Sequence, residues 1–265
     1  MNIFEAILFG AVQGLTEYLP ISSSAHLALL PRFLGRPDPG LSFDVVLHLG
    51  TLAATVLFFR REWLSLLKAL PTREGKRQAW SIALATLPAL MTAAVFRSVI
   101  AESLRGPPLI AGALILGGLV LVLVDRWSRG RHGLEDVTPR RALIVGFFQC
   151  LALVPGMSRS GSTILGARAV GLSREAAARF SFFISAPITA AAVASELLHW
   201  PELLASMGPG SGLQAGFTLL VGALSAFVFG WIAISGLIRW VSRVGFEVFA
   251  VYRLALGIVV LFWLS

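Results

Sequence analysis

The sequence predicts an all-α polytopic membrane protein, an inverted-topology repeat whose two re-entrant broken-helix pairs meet near the bilayer midplane. Three observations predict it. The chain of 265 residues is 56% hydrophobic and only 14% charged; its apolar runs are separated by short basic links; and two similar segments interrupt an apolar run with proline, serine and ionisable residues. A soluble domain normally carries about 25% charged and 45–50% apolar residues, which excludes a water-facing globule. At about 20 residues per crossing the length allows roughly eight or nine spans, with no room for a separate soluble domain. The chain 1–265 therefore reads as one membrane domain.

The first run, 3–19, begins next to Met1 without the basic region or small-residue cleavage site of a signal peptide, so it reads as part of the mature fold. Further apolar runs follow at 24–34, 41–59, 79–100, 107–124, 141–154, 162–171, 179–198, 213–238 and 246–264. Three of them, 24–34, 141–154 and 162–171, fall below the ~17-residue minimum for a crossing. Each adjoins a Ser/Gly/Pro stretch and reads as half of a re-entrant loop. The net charge of +8 is carried by the links rather than by one polar helix face, the pattern of topology determinants and not of nucleic-acid binding. Cys150 has no second cysteine for a disulfide, zinc or redox pair and reads as core filling.

Lys and Arg set the orientation. Link 60–78 holds Arg60, Arg61, Lys68, Arg73, Lys76 and Arg77, and link 125–141 holds Arg126, Arg129, Arg131, Arg140 and Arg141, so both are expected in the cytoplasm. Arg168, Arg174 and Arg179 return to that side, as do Arg239 and Arg243, whereas link 199–212 has no Lys or Arg and is expected outside. On this path 141–171 enters and leaves from the cytoplasm and 3–34 opens outward. A shift of 136 residues lays Gly10, Gln13, Leu15, Ser22 and Ser24 on Gly146, Gln149, Leu151, Ser158 and Ser160, which marks repeats of approximately 1–124 and 137–265. Inverted repeats with broken helices place a polar site where the breaks face each other.

Ionisable groups at that depth are costly enough to need a purpose. Gln13 and Glu17, four apart, share a helix face; Pro20 ends the helix, and Ser22, Ser23 and Ser24 stand where a new one begins. Such a helix start binds anions, phosphate above all, and His26 lies one turn further on. In the second segment Gly156 permits a tight turn, and Ser158, Arg159, Ser160, Ser162 and Thr163 crowd four hydroxyls and a guanidinium into six positions. Arginine grips phosphate bidentately and keeps its charge when desolvated. Blander roles stand beside these: Glu17 as a neutralising partner of Arg159, His26 as an interhelical hydrogen bonder, the serines as small packing residues. Asp44 and His48, one turn apart, read either as support for the site or as a structural pair. Glu5 suits the start of the first helix, Glu196 and Glu247 fall near span ends, and Arg253 has no role beyond pairing with Glu247. Most of the seven Trp sit near predicted boundaries, as an aromatic belt does.

Gln13-x-x-x-Glu17 followed by Pro20-Ile-Ser-Ser-Ser-Ala-His26, together with Pro155-Gly-Met-Ser-Arg-Ser-Gly-Ser-Thr163, resembles the bacterial undecaprenyl pyrophosphate phosphatase family, the integral-membrane type associated with bacitracin resistance. The resemblance covers essentially the whole chain. It implies hydrolysis of undecaprenyl diphosphate to the monophosphate and inorganic phosphate, recycling a lipid carrier for cell-wall synthesis. It also implies dependence on a divalent cation, Mg²⁺ or alternatively Ca²⁺. Glu17, Ser23, His26 and Arg159 are the implied catalytic set, with Ser22, Ser24, Ser158, Ser160, Thr163 and Gly156 around the phosphates. Glu17 would hold the metal. The family's first signature position is Glu or Gln; here Gln13 offers only a carbonyl to a metal and cannot act as a base. The nucleophile is either Ser23 with His26 as its base or a water activated by Glu17 or His26. The implied partners are a prenyl diphosphate lipid and membrane lipids, with no nucleic acid and an open oligomeric state. The implied location is the bacterial inner membrane, with the site open to the periplasmic side. A transporter or scramblase of an anionic lipid is the rival class, since it would use the same anion-binding breaks.

Overall fold

The computed structural model describes residues 1–96, 106–198 and 213–263, and among these it contains eleven α-helices and no β-strand. The first two, α1 (Ile3–Tyr18) and α2 (Ser23–Phe33), form one interrupted element. Asn2 opens α1 through a capping box: its side chain accepts from the Glu5 N–H at 2.8 Å, and the Glu5 carboxylate accepts from the Asn2 N–H at 2.9 Å. Beyond α1, Pro20 has no N–H to continue the ladder. There follow α3 (Leu41–Phe58), α4 (Arg60–Ala69), α5 (Arg73–Val95), α6 (Pro107–Trp127) and α7 (Pro139–Cys150), the last running into a 3₁₀ turn, Leu151–Leu153. The chain closes with α8 (Arg159–Ala169), α9 (Arg174–Leu197), α10 (Leu213–Val244) and α11 (Glu247–Trp263).

Each predicted apolar run lies on a helix within the described residues, but α5, α6, α7, α9 and α10 extend beyond one end of their runs. Hydropathy marks the lipid-buried stretch, while the helix continues through capped polar turns: Thr72, Thr138 and Ser173 cap α5, α7 and α9. Helix α4 falls inside link 60–78, which reads as a connection because its charges interrupt the apolar run. It is amphipathic instead: Trp63 and Leu66 turn inward while Arg60, Arg61 and Lys68 face out. Among the described residues four helices, Arg73–Val95, Pro107–Trp127, Arg174–Leu197 and Gly216–Val244, are long and apolar enough to cross a bilayer, and counting the α3–α4 pair, bent by 65°, as one span makes five. Among the described residues α1, α2, α7 and α8, with 16, 11, 12 and 11 residues, fall short of a full crossing.

The exterior and interior exchange their usual chemistry. Large apolar side chains such as Leu116, Phe217, Leu220 and Leu224 face outward, while Gln13, Glu17, Asp125, Arg168 and Arg253 are buried. A surface of this kind suits hydrocarbon and not water. The basic links gather at one end. Arg168 Nε and Arg174 Nη2 donate to the buried Asp125 carboxylate at 2.7 and 2.8 Å, joining the ends of α6 and α8 to the start of α9. Arg179 pairs with Glu62 of α4 at 2.9 Å, and Arg126 with Glu247 of α11 at 3.0 Å. The predicted outer link 199–212 lies outside the described residues.

The two breaks are built alike. Ser22 (φ 74) and Ser158 (φ 70) are the two non-glycine residues with positive φ among those described, each standing just before an 11-residue helix. Ser22 Oγ accepts from the Ala25 N–H at 3.4 Å, and Ser158 Oγ from the Gly161 N–H at 3.0 Å. A non-glycine residue in this region costs ~1–3 kcal/mol and persists only when its surroundings hold it. Both preceding helices also make close crossings through glycine. A Cβ on Gly10 of α1 would stand 2.4 Å from the Gly222 carbonyl of α10, and one on Gly146 of α7 would stand 2.5 Å from the Leu84 carbonyl of α5.

Gly10→Ala is therefore expected to destabilise by ~1–3 kcal/mol despite the better helix propensity of alanine, because the backbone of α10 must move. Gly112→Ala on α6 meets nothing within 4 Å. Its melting temperature in detergent should equal or exceed the parent's, and the opposite order in the two variants would refute the close-crossing account.

Candidate functional site

Glu17 is the centre of the site. It is 7% exposed, on the last turn of α1, and its two carboxylate oxygens collect groups from both breaks. Oε1 accepts from Arg159 Nη2 at 2.6 Å; Oε2 accepts from Ser23 Oγ at 2.5 Å and from Gln13 Nε2 at 3.1 Å, and His48 Nε2 stands 3.9 Å away. Sequence order explains the meeting. Ser23 and Arg159 occupy the first position of α2 and of α8, directly after the two capping serines; Ser23 turns back to Glu17 within the first break, and Arg159 reaches across to it from the second. Glu17, Ser23, His48 and Arg159 line a cavity of about 810 Å³ with Ser24 and Ser158, whose remaining walls mix alanine, leucine and valine with polar side chains such as Asp44 and Gln149.

On the groups bound to Glu17, two buried polar atoms have no protein partner, the donor Arg159 Nη1 and the acceptor Gln13 Oε1; Oε1 of Gln149, which lines the cavity, has none either. Groups of this kind are costly unless a ligand or water meets them. The Arg159 and Gln13 atoms flank the Glu17 carboxylate, so the site offers a cation fork, a hydroxyl and a helix start to an anion. The fit to a metal is narrower. Among the described residues no three His, Cys, Asp or Glu side chains gather to hold one; Glu17 and the unpartnered Gln13 carbonyl are the oxygens nearest the Arg159 fork.

Other expected residues are placed differently. His26 is turned away from Ser23: its Nδ1 donates to the Ser22 carbonyl at 2.7 Å and its Nε2 meets the Tyr252 hydroxyl at 2.6 Å, so the acceptor on Ser23 is Glu17. Ser22 and Ser158 use their hydroxyls as helix caps and also meet Ser24 and Ser160 at 3.2 and 3.1 Å. Ser160 Oγ donates across to the Leu19 carbonyl at 3.0 Å, tying the second break to the first. Thr163 is held inside by the Arg159 carbonyl at 2.9 Å and Ser181 at 2.6 Å. Gly156 (φ 101) packs where a Cβ would stand 2.6 Å from the Ile110 carbonyl, a backbone role. Asp44 and His48 do meet, through the main chain: His48 Nδ1 donates to the Asp44 carbonyl at 2.7 Å, which aims Nε2 at Glu17.

Arg253 is the residue that sequence reasoning missed. Its expected partner Glu247 pairs with Arg126 instead. Arg253, 1% exposed on α11, donates only to backbone carbonyls: Leu114 and Ala113 of α6 at 3.1 Å each, Pro20 of the first break at 3.3 Å, and Gly156 and Met157 of the second at 3.0 and 3.2 Å. Room for it comes from Gly117, where a Cβ would stand 2.0 Å from Nη2. Position 117 is 136 residues before 253, so a glycine answers the arginine across the repeat shift. A deep arginine beside a glycine pair in a facing apolar run was the available signal.

The fold and site define a polytopic membrane protein with a buried, charged polar cluster between two helix breaks. The chain belongs to the family of the bacitracin resistance protein BacA, whose model matches residues 6–259. It is 48% identical to the undecaprenyl-diphosphatase of Gemmatimonas aurantiaca, over 98% of this chain and 97% of that protein. It is 43% identical to the undecaprenyl-diphosphatase of Chromohalobacter salexigens over the full length of both, and 44% identical to that of Desulforudis audaxviator over 98% of this chain and 97% of the other.

Arg253→Met keeps the volume but removes the donors from the carbonyls of both breaks. Each buried group left unpaired costs ~1–3 kcal/mol, so the protein should lose several kcal/mol or fail to accumulate. A variant melting within about 2 °C of the parent in detergent would show that other donors serve those carbonyls.

Proposed function

We infer that this membrane protein hydrolyses undecaprenyl diphosphate to undecaprenyl phosphate and inorganic phosphate, returning the lipid carrier to cell-wall synthesis. The observation that carries the chemistry is the convergence of Ser23 and Arg159 on one buried carboxylate, with a guanidinium nitrogen left over for a phosphate. A transporter needs cations and dipoles to hold its anion but no hydroxyl paired to a base. A diphosphate resists attack because its own oxygens repel the nucleophile, so the site must neutralise charge and align the reacting atoms.

In the proposed mechanism the terminal phosphate rests against Arg159 and the start of α2. Ser23 transfers its proton to Glu17 Oε2 as its oxygen bonds to the terminal phosphorus, and the bridging P–O bond breaks to release undecaprenyl phosphate. Water then attacks the phosphoserine, gives a proton to Ser23 as the P–Oγ bond breaks, and leaves as inorganic phosphate with the proton held by Glu17 released to solvent. Glu17 and the Gln13 carbonyl are the residues that would hold a divalent cation, and a cation held there would neutralise diphosphate charge. The apolar part of the cavity wall suits the prenyl chain.

The matched φ values of Ser22 and Ser158, the matched lengths of α2 and α8 and the 136-residue shift support inverted repeats meeting at the site. The cavity is lined by Asp38 and Glu196 but by no residue of the basic links 60–78 and 125–141. With those links in the cytoplasm of a bacterial inner membrane, the site opens to the periplasmic side.

Purified protein is expected to release phosphate from a long-chain prenyl diphosphate. Glu17→Gln should retain less than about a tenth of that activity, and Arg159→Lys, which keeps the charge but loses the planar fork, should fall by orders of magnitude. Near-normal turnover in either would remove that residue from the proposed role. Stereochemistry tests the nucleophile. Two in-line transfers through Ser23 predict net retention at a chiral terminal thiophosphate and a nearly dead Ser23→Ala. Inversion, with Ser23→Ala losing only about 1.5–3 kcal/mol in barrier, would make water the direct nucleophile.

A further inference from the structure

His26 stands beside the site, yet the proposed mechanism gives it no proton to carry. Both of its ring nitrogens are engaged. A carbonyl only accepts, so Nδ1, 2.7 Å from the Ser22 carbonyl, carries the hydrogen and Nε2 accepts from the Tyr252 hydroxyl at 2.6 Å. The two rings also stack, centroids 5.6 Å apart and 7° from parallel. His26 does not line the cavity, whereas Ser23, Ser24 and Glu17 do.

The Ser22 carbonyl is held twice, by the ring and by the His26 N–H at 3.2 Å. Ser22 is one of the two non-glycine residues with positive φ, a conformation that needs holding. The Ser22–Ser23 peptide is planar and trans, so turning its C=O toward His26 turns the Ser23 N–H the opposite way and sets the bearing of the Ser23 side chain. We propose that His26, locked by Tyr252, is a positioning residue that fixes the plane of the Ser22–Ser23 peptide and so holds the Ser23 hydroxyl on Glu17, rather than a base acting on Ser23. This rests on the reading of Ser23 as nucleophile.

Asparagine and glutamine separate the two roles. The Asn amide nitrogen stands where Nδ1 does and can still donate to the Ser22 carbonyl; the Gln amide stands nearer Nε2 and cannot replace that bond without rearranging. His26→Asn is expected to keep at least about a third of kcat with KM within about threefold, while His26→Gln and His26→Ala lose more than about thirtyfold in kcat. Tyr252→Phe removes one hydrogen bond and should lower kcat about three- to tenfold in the parent. Asn does not reach Tyr252, so the same change should have no further effect in the His26→Asn background.

All variants are compared as folded protein by their melting temperature. If His26→Asn is as inactive as His26→Ala while folded, a ring nitrogen itself is required and the proposal is overturned; an unchanged kcat in Tyr252→Phe overturns the lock. Ser23→Ala measured alongside keeps the two readings apart. A Ser23→Ala enzyme near the parent rate overturns the nucleophile reading and with it the purpose given to His26. An inactive His26→Asn beside an inactive Ser23→Ala overturns the positioning role alone.

Discussion

A helix that breaks inside an apolar layer frees backbone N–H and C=O groups that lipid cannot satisfy, and this constraint governs the rest of the molecule. Arg253 answers it for the carbonyls, reaching Pro20 on one break and Gly156 and Met157 on the other from a single guanidinium. Ser160 adds a bond to Leu19, while Ser22 and Ser158 cap the N–H groups of the helices that follow. With those groups paired, two helix starts can face one another inside the protein. Five donors in a rigid planar fork suit arginine to this task, and an ammonium would not span both loops.

What the breaks then expose is a buried ion pair with spare capacity. Glu17 and Arg159 neutralise each other at 2.6 Å, yet a pair taken out of water gives up hydration that mutual attraction does not always recover. Here the pair is further supported by Ser23 and Gln13, while Arg159 Nη1 and Gln13 Oε1 still lack protein partners. A structural pair would be expected to satisfy all of its atoms. One that leaves a donor and an acceptor beside a cavity is shaped for something that enters and leaves.

Positions 136 residues apart carry different side chains at the two breaks. Glu17 answers Leu153, Ser23 answers Arg159, His26 answers Ser162, and Arg253 answers Gly117. The backbone stays alike at the two breaks, with the same φ and the same serine cap, while the side chains diverge. Such divergence lets one fold element supply the acid and hydroxyl and its counterpart the cation, which two identical breaks could not do without placing like charges face to face.

By itself the sequence determined the membrane class, the positions of the apolar helices and both breaks, and it singled out Glu17, Ser23 and Arg159 as candidates, because hydropathy, proline and serine act locally and leave their mark on neighbouring letters. It also showed that His26 and Arg253 were out of place in an apolar chain. Only the tertiary structure decided their partners. His26 turns to Tyr252, 226 residues away, and not to Ser23, three residues away, because ring direction depends on what α11 brings against α2. Arg253 serves carbonyls, and a carbonyl is present at every residue, so no side-chain pattern reveals which ones a distant guanidinium will reach. Helix α4 was hidden for a related reason: its charges interrupt the apolar run, and its inward stripe has meaning only once Phe183 is there for Trp63 to stack on at 4.0 Å. Local spacing fixes which atoms one helix presents, but packing between helices distant in sequence fixes what those atoms meet.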